Sequence, residues 1–262
     1  MNPQSSWKIV QGTINDHLVR LESDSGTKVL FKQPRDPSSF KLVEIANELI
    51  VNRLALELGI PVSQTYFENI EGKIGILSII HSELNWGVII GQGLQNKVQN
   101  MDIFKQLFAF DVFIANTDRN GRIDHVIVIP KENWYIFYAI DHGHTLNGCT
   151  QGDIKWKKDN VCEHNRFPLN NLNHLSESEI KSFSELEPII KNIEELQDGL
   201  IENIVDGVYL LIARNRSEDE KQALEGNCEV IKALLKYRRD NIRSWIKEWC
   251  ISKEKPLVLL NN

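Results

Sequence analysis

Two oppositely charged residues near the start of the chain have the chemistry to hold a phosphate group. Lys32 ends a run of alternating apolar and polar residues, and Glu48 follows within a segment of helical periodicity. A lysine at a strand end can project toward nucleotide phosphates, and a glutamate on a neighbouring helix can pair with it and hold it in place. Both residue types are common in such positions, so the pair is not specific without further residues of the same site.

Two acidic residues later in the chain complete the pattern. Asp118 lies in the stretch Asn116-Thr-Asp-Arg119, where an acid in a loop can accept a proton from a hydroxyl group. Asp141 follows an apolar run and precedes His142 and Gly143, which suits a carboxylate that ligates a phosphate-bridging Mg²⁺. The order along the chain is lysine, helical glutamate, loop aspartate, β-hairpin and strand-end aspartate. This is the order expected of the residues of a phosphoryl-transfer site.

Hydrophobic periodicity predicts the elements that must position these residues. Residues 18–22 and 28–32 alternate apolar and polar side chains around a turn, which predicts a β-hairpin. Apolar residues at helical spacing between 42 and 56 predict a helix, and Gly59 and Pro61 are its stop signal.

Two further extended runs, 63–69 and 73–80, follow the helix, and strands around one helix are typical of a small sheet with that helix packed on it. Residues 81–102 form a less regular bridge with three glycines. We therefore predict an N-terminal lobe over residues 1–85 and a larger C-terminal lobe over residues 86–262.

The second lobe is predicted to be mainly helical. A helix over about 103–115 leads to two short apolar runs, 125–129 and 134–140, and helices follow. An acidic excess over 176–206 and a basic excess over 232–247 predict two charged faces that are solvated or packed on each other. A docking surface is the alternative. The expected fold class is α+β.

Composition restricts the function classes. The chain has 262 residues, 42% hydrophobic and 25% charged, which is ordinary for a soluble globular protein. A formal net charge of −6 argues against direct nucleic-acid binding. No apolar run approaches the ~20 residues that span a bilayer, so we expect no membrane association. Four irregularly spaced cysteines show no disulfide framework and favour a reducing, cytoplasmic location.

Three stretches of the sequence carry recognisable motifs. They are Asn47-Glu48…Arg53-Leu54-Ala55…Leu58-Gly59-Ile60-Pro61, then Phe110-Asp111…Ile114-Ala115-Asn116-Thr117-Asp118-Arg119 with Ala139-Ile140-Asp141-His142-Gly143, and Leu234-Leu235…Arg238-Arg239…Trp245-Ile246. These stretches resemble the HipA-like kinase domain family. The two acidic motifs are specific as a pair, although neither is specific alone. The resemblance covers roughly Gly12 to Ile246, and phosphatidylinositol kinases are distant relatives of that family.

This resemblance implies a two-lobed, protein-kinase-like fold that binds ATP and Mg²⁺. Lys32 would contact the α- and β-phosphates, and Glu48 would orient it. Asp118 would be the catalytic base and Asp141 the principal metal ligand. The segment Gly12 to His17 would cover the phosphates, with contacts from Gly12, Thr13 and Asn15, although it holds one glycine only.

The sequence departs from the family at the second metal ligand. The family usually has an asparagine and two apolar residues shortly after the Asp-Arg pair, and alignment places His125 at that asparagine. Asp124, just before it, is the better Mg²⁺ ligand because Mg²⁺ prefers oxygen donors. If His125 begins a strand, the two side chains point to opposite faces and only one reaches the metal. Both remain candidates.

The leading hypothesis is a HipA-like kinase that transfers the γ-phosphate of ATP to a hydroxyl group, first of all on a protein Ser or Thr. A protein substrate or partner is expected. The alternatives are a nucleotide-binding pseudokinase with a regulatory or scaffold role, and a kinase of a small molecule or lipid headgroup. Five residues have zinc-ligand chemistry but no standard zinc spacing, and we expect them to be core or loop residues: His142, His144, Cys149, Cys162 and His164.

Overall fold

The computed structural model of the chain has two parts of different composition. A five-stranded antiparallel sheet with one long helix forms the first part, and a two-stranded hairpin with several helices forms the larger second part. The protein is therefore α+β and two-lobed, which confirms the predicted fold class. The structure describes residues 7–10, 18–33, 41–79, 84–116, 119, 125–143, 145–146, 180–214 and 216–254.

The sheet of the first lobe has the strand order β1-β2-β3-β5-β4. Its strands are β1 (Trp7–Ile9), β2 (Leu18–Ser23), β3 (Lys28–Lys32), β4 (Thr65–Ile70) and β5 (Lys73–Ile79). Side chains alternate between the faces of a sheet, so Phe31 packs with Leu77 in a small outer cluster. Lys32 lies on the other face, opposite Ile76 in the register of β3 and β5. The predicted hairpin, β2 with β3, and the two strands predicted after the helix, β4 and β5, are confirmed.

Helix α1 (Lys41–Glu57) covers the inner face of the sheet and is buried along most of its length. It contacts β4 on one side and helix α5 (Asp198–Ala213) of the second lobe on the other. The helix ends as predicted. Gly59 has a φ of +68°, a conformation that costs glycine little, and the Ile60 N–H donates back to the Ala55 carbonyl at 2.8 Å.

The second lobe contains one element that periodicity did not predict. Residues 86–91 form a short helix inside the expected irregular bridge, and the Asn85 side chain caps it by accepting a hydrogen bond from the Val88 N–H at 3.1 Å. Six residues are too few for a periodic pattern. The elements are α2 (Trp86–Gly91), α3 (Ile103–Phe113), β6 (Val126–Lys131), β7 (Trp134–Ala139), α4 (Glu187–Glu194), α5 (Asp198–Ala213) and α6 (Glu218–Glu254), with 3-10 turns at Gln95–Lys97 and Phe183–Glu185.

The β6–β7 hairpin joins the two lobes. The Ala139 N–H donates to the Pro61 carbonyl at 2.9 Å, and the Ser63 N–H donates to the Ala139 carbonyl at 3.2 Å. Beneath the hairpin, Phe137 packs edge-on against Trp86 and Phe104. A continuous apolar core therefore runs from α1 through the hairpin into the helices. The division of the chain at residues 85 and 86 stays a prediction.

The acidic and basic segments of the second lobe pack against each other. Lys236 of α6 contacts Glu202 at 2.6 Å, and Arg243 binds Glu194 at 2.8 Å. These contacts favour the interpretation as two packed faces over the docking surface. No described helix combines the length and apolar character that crossing a bilayer requires.

Candidate functional site

Lys32 lies at the centre of three carboxylates. Its Nζ atom is 2.7 Å from Asp141 Oδ1, 3.3 Å from Glu44 Oε1 and 3.4 Å from Glu48 Oε2. The end of β3 supplies the lysine, α1 supplies both glutamates, and the segment after β7 supplies the aspartate. The contact of Lys32 with Glu48 was predicted from the sequence. The contact with Glu44 was not, because which helical residue reaches the lysine depends on how α1 is rotated.

Burial and charge act in opposite directions on this cluster. Burial favours the neutral form of Lys32, but the charges of Glu48, Asp141 and Glu44 outweigh it and raise the lysine pKa well above its usual range. Burial also favours the neutral form of Asp141, yet Lys32 holds the pKa of that carboxyl below its usual range. For Glu48, burial dominates and raises the pKa. Lys32 and Asp141 are therefore charged at neutral pH.

Asp141 has a strained backbone. Its φ is +58°, a left-handed conformation that non-glycine residues rarely adopt and that costs on the order of 1–3 kcal/mol. The surrounding structure holds the segment in place, since the His142 N–H donates to Glu48 Oε1 at 3.1 Å. Asn47 Nδ2 donates to the Thr145 carbonyl at 2.8 Å. Helix α1 thus fixes both the lysine and the segment that carries Asp141.

Gly143 lets the elements of the cluster approach closely. A Cβ atom at this position would lie 3.0 Å from Glu44 Cγ and 3.1 Å from Lys32 Nζ. Contacts this short would force the neighbouring side chains to move. A residue larger than glycine would therefore disturb the lysine and its carboxylates.

A buried ion pair anchors the loop that contains Asp118. Arg119 Nε donates to Asp111 Oδ2 at 2.6 Å, and both side chains are fully buried. Arg119 also donates to the His125 carbonyl at 2.9 Å, and Asn116 Nδ2 donates to Asp111 Oδ1 at 2.9 Å. Asp118 itself lies outside the described residues. Residues on both sides of it are tied to the end of α3.

The anchoring role of this pair was missed by the sequence interpretation. The only sequence signal was that Asp111 and Arg119 flank one loop within a single motif. A second buried arginine stabilises the end of α3, because Arg238 of α6 donates to the carbonyls of Val112 and Phe113 there. Burial lowers the pKa of Arg238 to about 9. Both arginines stabilise the helix end that precedes the Asp118 loop.

His125 faces Asp141. It is 2% exposed and immediately precedes β6, and its Nε2 atom lies 3.8 Å from Asp141 Oδ2. A divalent ion bonded to both atoms at about 2.1 Å can join donor atoms that lie up to about 4.2 Å apart. The separation of Nε2 and Oδ2 is within this limit, so both atoms can bind one ion. Asp124 lies outside the described residues, and both candidates for the second metal ligand stay open.

His142 is buried beside this cluster but faces the protein interior. It is 1% exposed, and its ring lies edge-on to Phe110. Burial and the neighbouring Arg119 lower the pKa of His142 to about 3, so the ring is neutral at physiological pH. The other four residues considered as zinc ligands lie outside the described residues: His144, Cys149, Cys162 and His164.

A second acidic group lies far from the cluster. Asp206, Cys228 and Glu229 form the only set of three suitable metal donors that lie close together among the described residues. Lys232 already neutralises it, with Nζ 2.5 Å from Asp206 Oδ1 and 2.8 Å from Glu229 Oε1. An ammonium group in this place leaves little room for a cation.

The predicted phosphate-covering loop cannot be compared with the structure. Gly12, Thr13 and Asn15 lie outside the described residues, although the flanking strands β1 and β2 are described. Their proposed contacts with phosphates stay a prediction.

Comparison with solved structures shows the class of fold. A crystal structure described as that of a Helicobacter pylori proinflammatory kinase, CtkA, matches with a TM-score of 0.59 and 14% sequence identity. The match covers 94% of this chain and 96% of that chain. No family model and no curated protein sequence matches. The chain therefore has a kinase-like two-lobed fold, and the resemblance to HipA-like kinases stays a prediction.

Proposed function

We propose that this protein is a kinase of the HipA-like type that transfers the γ-phosphate of ATP to a hydroxyl group. The observation that carries the proposal is the position of Lys32 Nζ, 2.7 Å from Asp141 Oδ1 and 3.4 Å from Glu48 Oε2. These three residues come from a strand, a helix and a strand end, in a kinase-like fold. Phosphoryl transfer needs this combination of a charged lysine, an orienting glutamate and a metal-binding aspartate.

Each residue of the cluster has a distinct task in this proposal. Lys32 binds the α- and β-phosphates, and Glu48, held by the His142 N–H, keeps the lysine in place. The Asp141 side chain is 36% exposed, and its Oδ2 atom faces His125, so an ionised oxygen is available at the cleft. A bound Mg²⁺ would neutralise phosphate charge there, with Asp141 and either His125 or Asp124 as protein ligands.

Asp118 is the proposed base. It would accept the proton of the acceptor hydroxyl, and the pair of Asp111 and Arg119 would hold its loop at the correct distance. We take a protein Ser or Thr as the first acceptor to test, and a small molecule or lipid headgroup as the next. The cytoplasm is the proposed location.

One observation favours a second candidate, a nucleotide-binding pseudokinase. His125 contributes an imidazole where an oxygen ligand is expected, and imidazole suits Fe, Ni, Cu and Zn ions better than Mg²⁺. A weakened second metal would leave nucleotide binding intact and slow transfer. A kinase and a pseudokinase are therefore both expected to bind nucleotide, and they differ in the rate of phosphate transfer.

The test combines binding and transfer. We expect wild type to show a thermal shift with Mg²⁺-ATP, since a ligand of the folded state raises its stability, and Lys32→Ala to lose that shift while remaining folded. Incubation with γ-labelled ATP and Mg²⁺ or Mn²⁺, with and without cell lysate, measures transfer. An unchanged shift in Lys32→Ala would contradict the proposed site. Binding without transfer to any acceptor would favour the pseudokinase.

A further inference from the structure

Lys32 contacts one more carboxylate than the proposed function uses. Glu44 lies one turn before Glu48 on α1, and its Oε1 atom is 3.3 Å from Lys32 Nζ. Its side chain is 11% exposed, so this charge is buried with the lysine. A Cβ atom on Gly143 would lie 3.1 Å from the same Oε1 atom, which places Glu44 against the segment that carries Asp141.

The two glutamates of α1 are not equivalent. Glu48 uses one carboxylate oxygen for Lys32 and the other for the His142 N–H, so it connects the lysine to the segment after β7. Glu44 makes its ion pair with Lys32 and has no second anchor of this kind among the described residues. Glu48 therefore positions the lysine, whereas Glu44 adds charge to a lysine that is already positioned.

The charge of the cluster opposes an anionic ligand. One ammonium group faces three carboxylates, all at least partly withdrawn from water, where charge interactions are stronger than in bulk solvent. A phosphate group that approaches Lys32 meets this negative excess. It must also share the lysine with Glu44, because Nζ has three hydrogens and three carboxylates already surround it.

We propose that Glu44 competes with nucleotide phosphates for Lys32 and thereby lowers the affinity of the site for ATP. This inference rests on the proposed function. Without nucleotide, Glu44 compensates the lysine charge. With nucleotide bound, a phosphate oxygen takes its place at Nζ, and the energy of the lost ion pair is subtracted from that of binding. Glu44 and Glu48 thus act on the same lysine with opposite effects on affinity.

The experiment compares two isosteric variants. Calorimetry measures binding of a non-hydrolysable ATP analogue, of inorganic tripolyphosphate and of adenosine in the presence of Mg²⁺. We expect Glu44→Gln to bind the analogue and tripolyphosphate roughly threefold to tenfold more tightly than wild type. Glu48→Gln should bind both more weakly. Adenosine, which has no phosphate, should bind equally to wild type and Glu44→Gln.

Further variants separate competition from a structural role. Glu44→Asp keeps the charge and should bind the analogue with nearly the affinity of wild type. In a Lys32→Ala background, Glu44→Gln should not restore binding of the analogue, because the residue for which Glu44 competes is absent. Thermal unfolding without ligand checks that each variant folds. Glu44→Ala is the substitute if the glutamine variant does not fold, with the same direction expected.

Two results would overturn the inference in distinguishable ways. If wild type binds the analogue but Glu44→Gln binds it equally or more weakly, Glu44 does not compete with phosphate for Lys32 and the inference is wrong. The proposed function would not be affected by this result. If wild type binds neither the analogue nor tripolyphosphate, the proposed function fails and the inference fails with it.

Discussion

Two of the regions in which charged side chains meet are built differently. Between α4, α5 and α6 basic side chains contact acids near the surface: Lys236 contacts Glu202 and Asp198, and Arg243 contacts Glu194 and Glu187. Around Lys32, one cation contacts three carboxylates in a largely buried place. Most acids of the first region are open to solvent, whereas the second region is withdrawn from water and contains a strained aspartate.

This difference separates structural charges from functional ones. Solvent-exposed ion pairs hold helices together with small energies and need no ligand. A buried cluster with unbalanced charge costs stability, and such arrangements persist mainly where they bind or react. The Lys32 cluster is therefore the place where substitutions should change activity most, and the helical interface is where they should change it least.

The largest effect is expected for the two aspartates of the proposed active site. Asp118→Asn should leave nucleotide affinity largely intact and slow transfer by about 10²–10⁴-fold, because a base acts only as the hydroxyl attacks. Asp141→Asn should reduce binding and turnover together, because it removes a metal ligand and a partner of Lys32. Calorimetry with Mg²⁺-ATP and a phosphotransfer assay on both variants provide the measurement. Loss of nucleotide binding in Asp118→Asn would show that these roles are assigned wrongly.

The next effect concerns the buried pair behind the Asp118 loop. Asp111→Ala leaves the Arg119 guanidinium buried without its carboxylate, and we expect the free energy of unfolding to fall by about 3–5 kcal/mol. Urea unfolding followed by circular dichroism measures it. Asp102→Ala, just before the same helix, is the matched control, since the Asp102 side chain is 86% exposed. Equal losses in both variants would mean that the pair has no special role.

A third effect is a dependence of stability on pH. The pKa of His142 is about 3 in the folded protein and about 6.5 when unfolded, so between these values the unfolded chain binds more protons. Its contribution to stability is therefore present above pH 6.5 and is lost as the pH falls. From pH 6.5 to 4 the loss is on the order of 3 kcal/mol.

The variant His142→Gln isolates this contribution. Glu48, whose pKa burial raises above its ordinary 4.5, gives the opposite slope from about pH 4.5 upward, so the informative quantity is the difference between wild type and variant. We expect unfolding free energies at pH 4, 5 and 6.5 to depend less on pH in the variant. Parallel curves for the two proteins would show that the pKa of His142 is the same in the folded and unfolded states.

Sequence reasoning reached the parts of the site that are encoded locally. Lys32 ends one recognisable strand and Asp141 follows another. The helix that carries Glu48 has clear periodicity and a clear C-terminal stop signal. The contacts of Glu44 and Arg119 were not predicted, because they depend on how α1 is rotated and on where a loop folds back. Local pattern predicts which element carries a residue, whereas tertiary packing decides what that residue meets.

The smallest effect is expected at the interface between α5 and α6. Lys236 contacts Glu202 and Asp198, but the Glu202 side chain is 45% exposed and that of Asp198 is 56% exposed, so water and salt screen both pairs. Lys236→Ala should lower the free energy of unfolding only slightly, and the difference from wild type should shrink further in 0.5 M NaCl. Urea unfolding at two salt concentrations measures both quantities.

Nucleotide affinity should not change, because Lys236 binds acids of α5 and makes no described contact with Lys32 or its carboxylates. A large loss of stability that salt does not reduce, or a change in nucleotide affinity, would contradict the distinction between this interface and the Lys32 cluster.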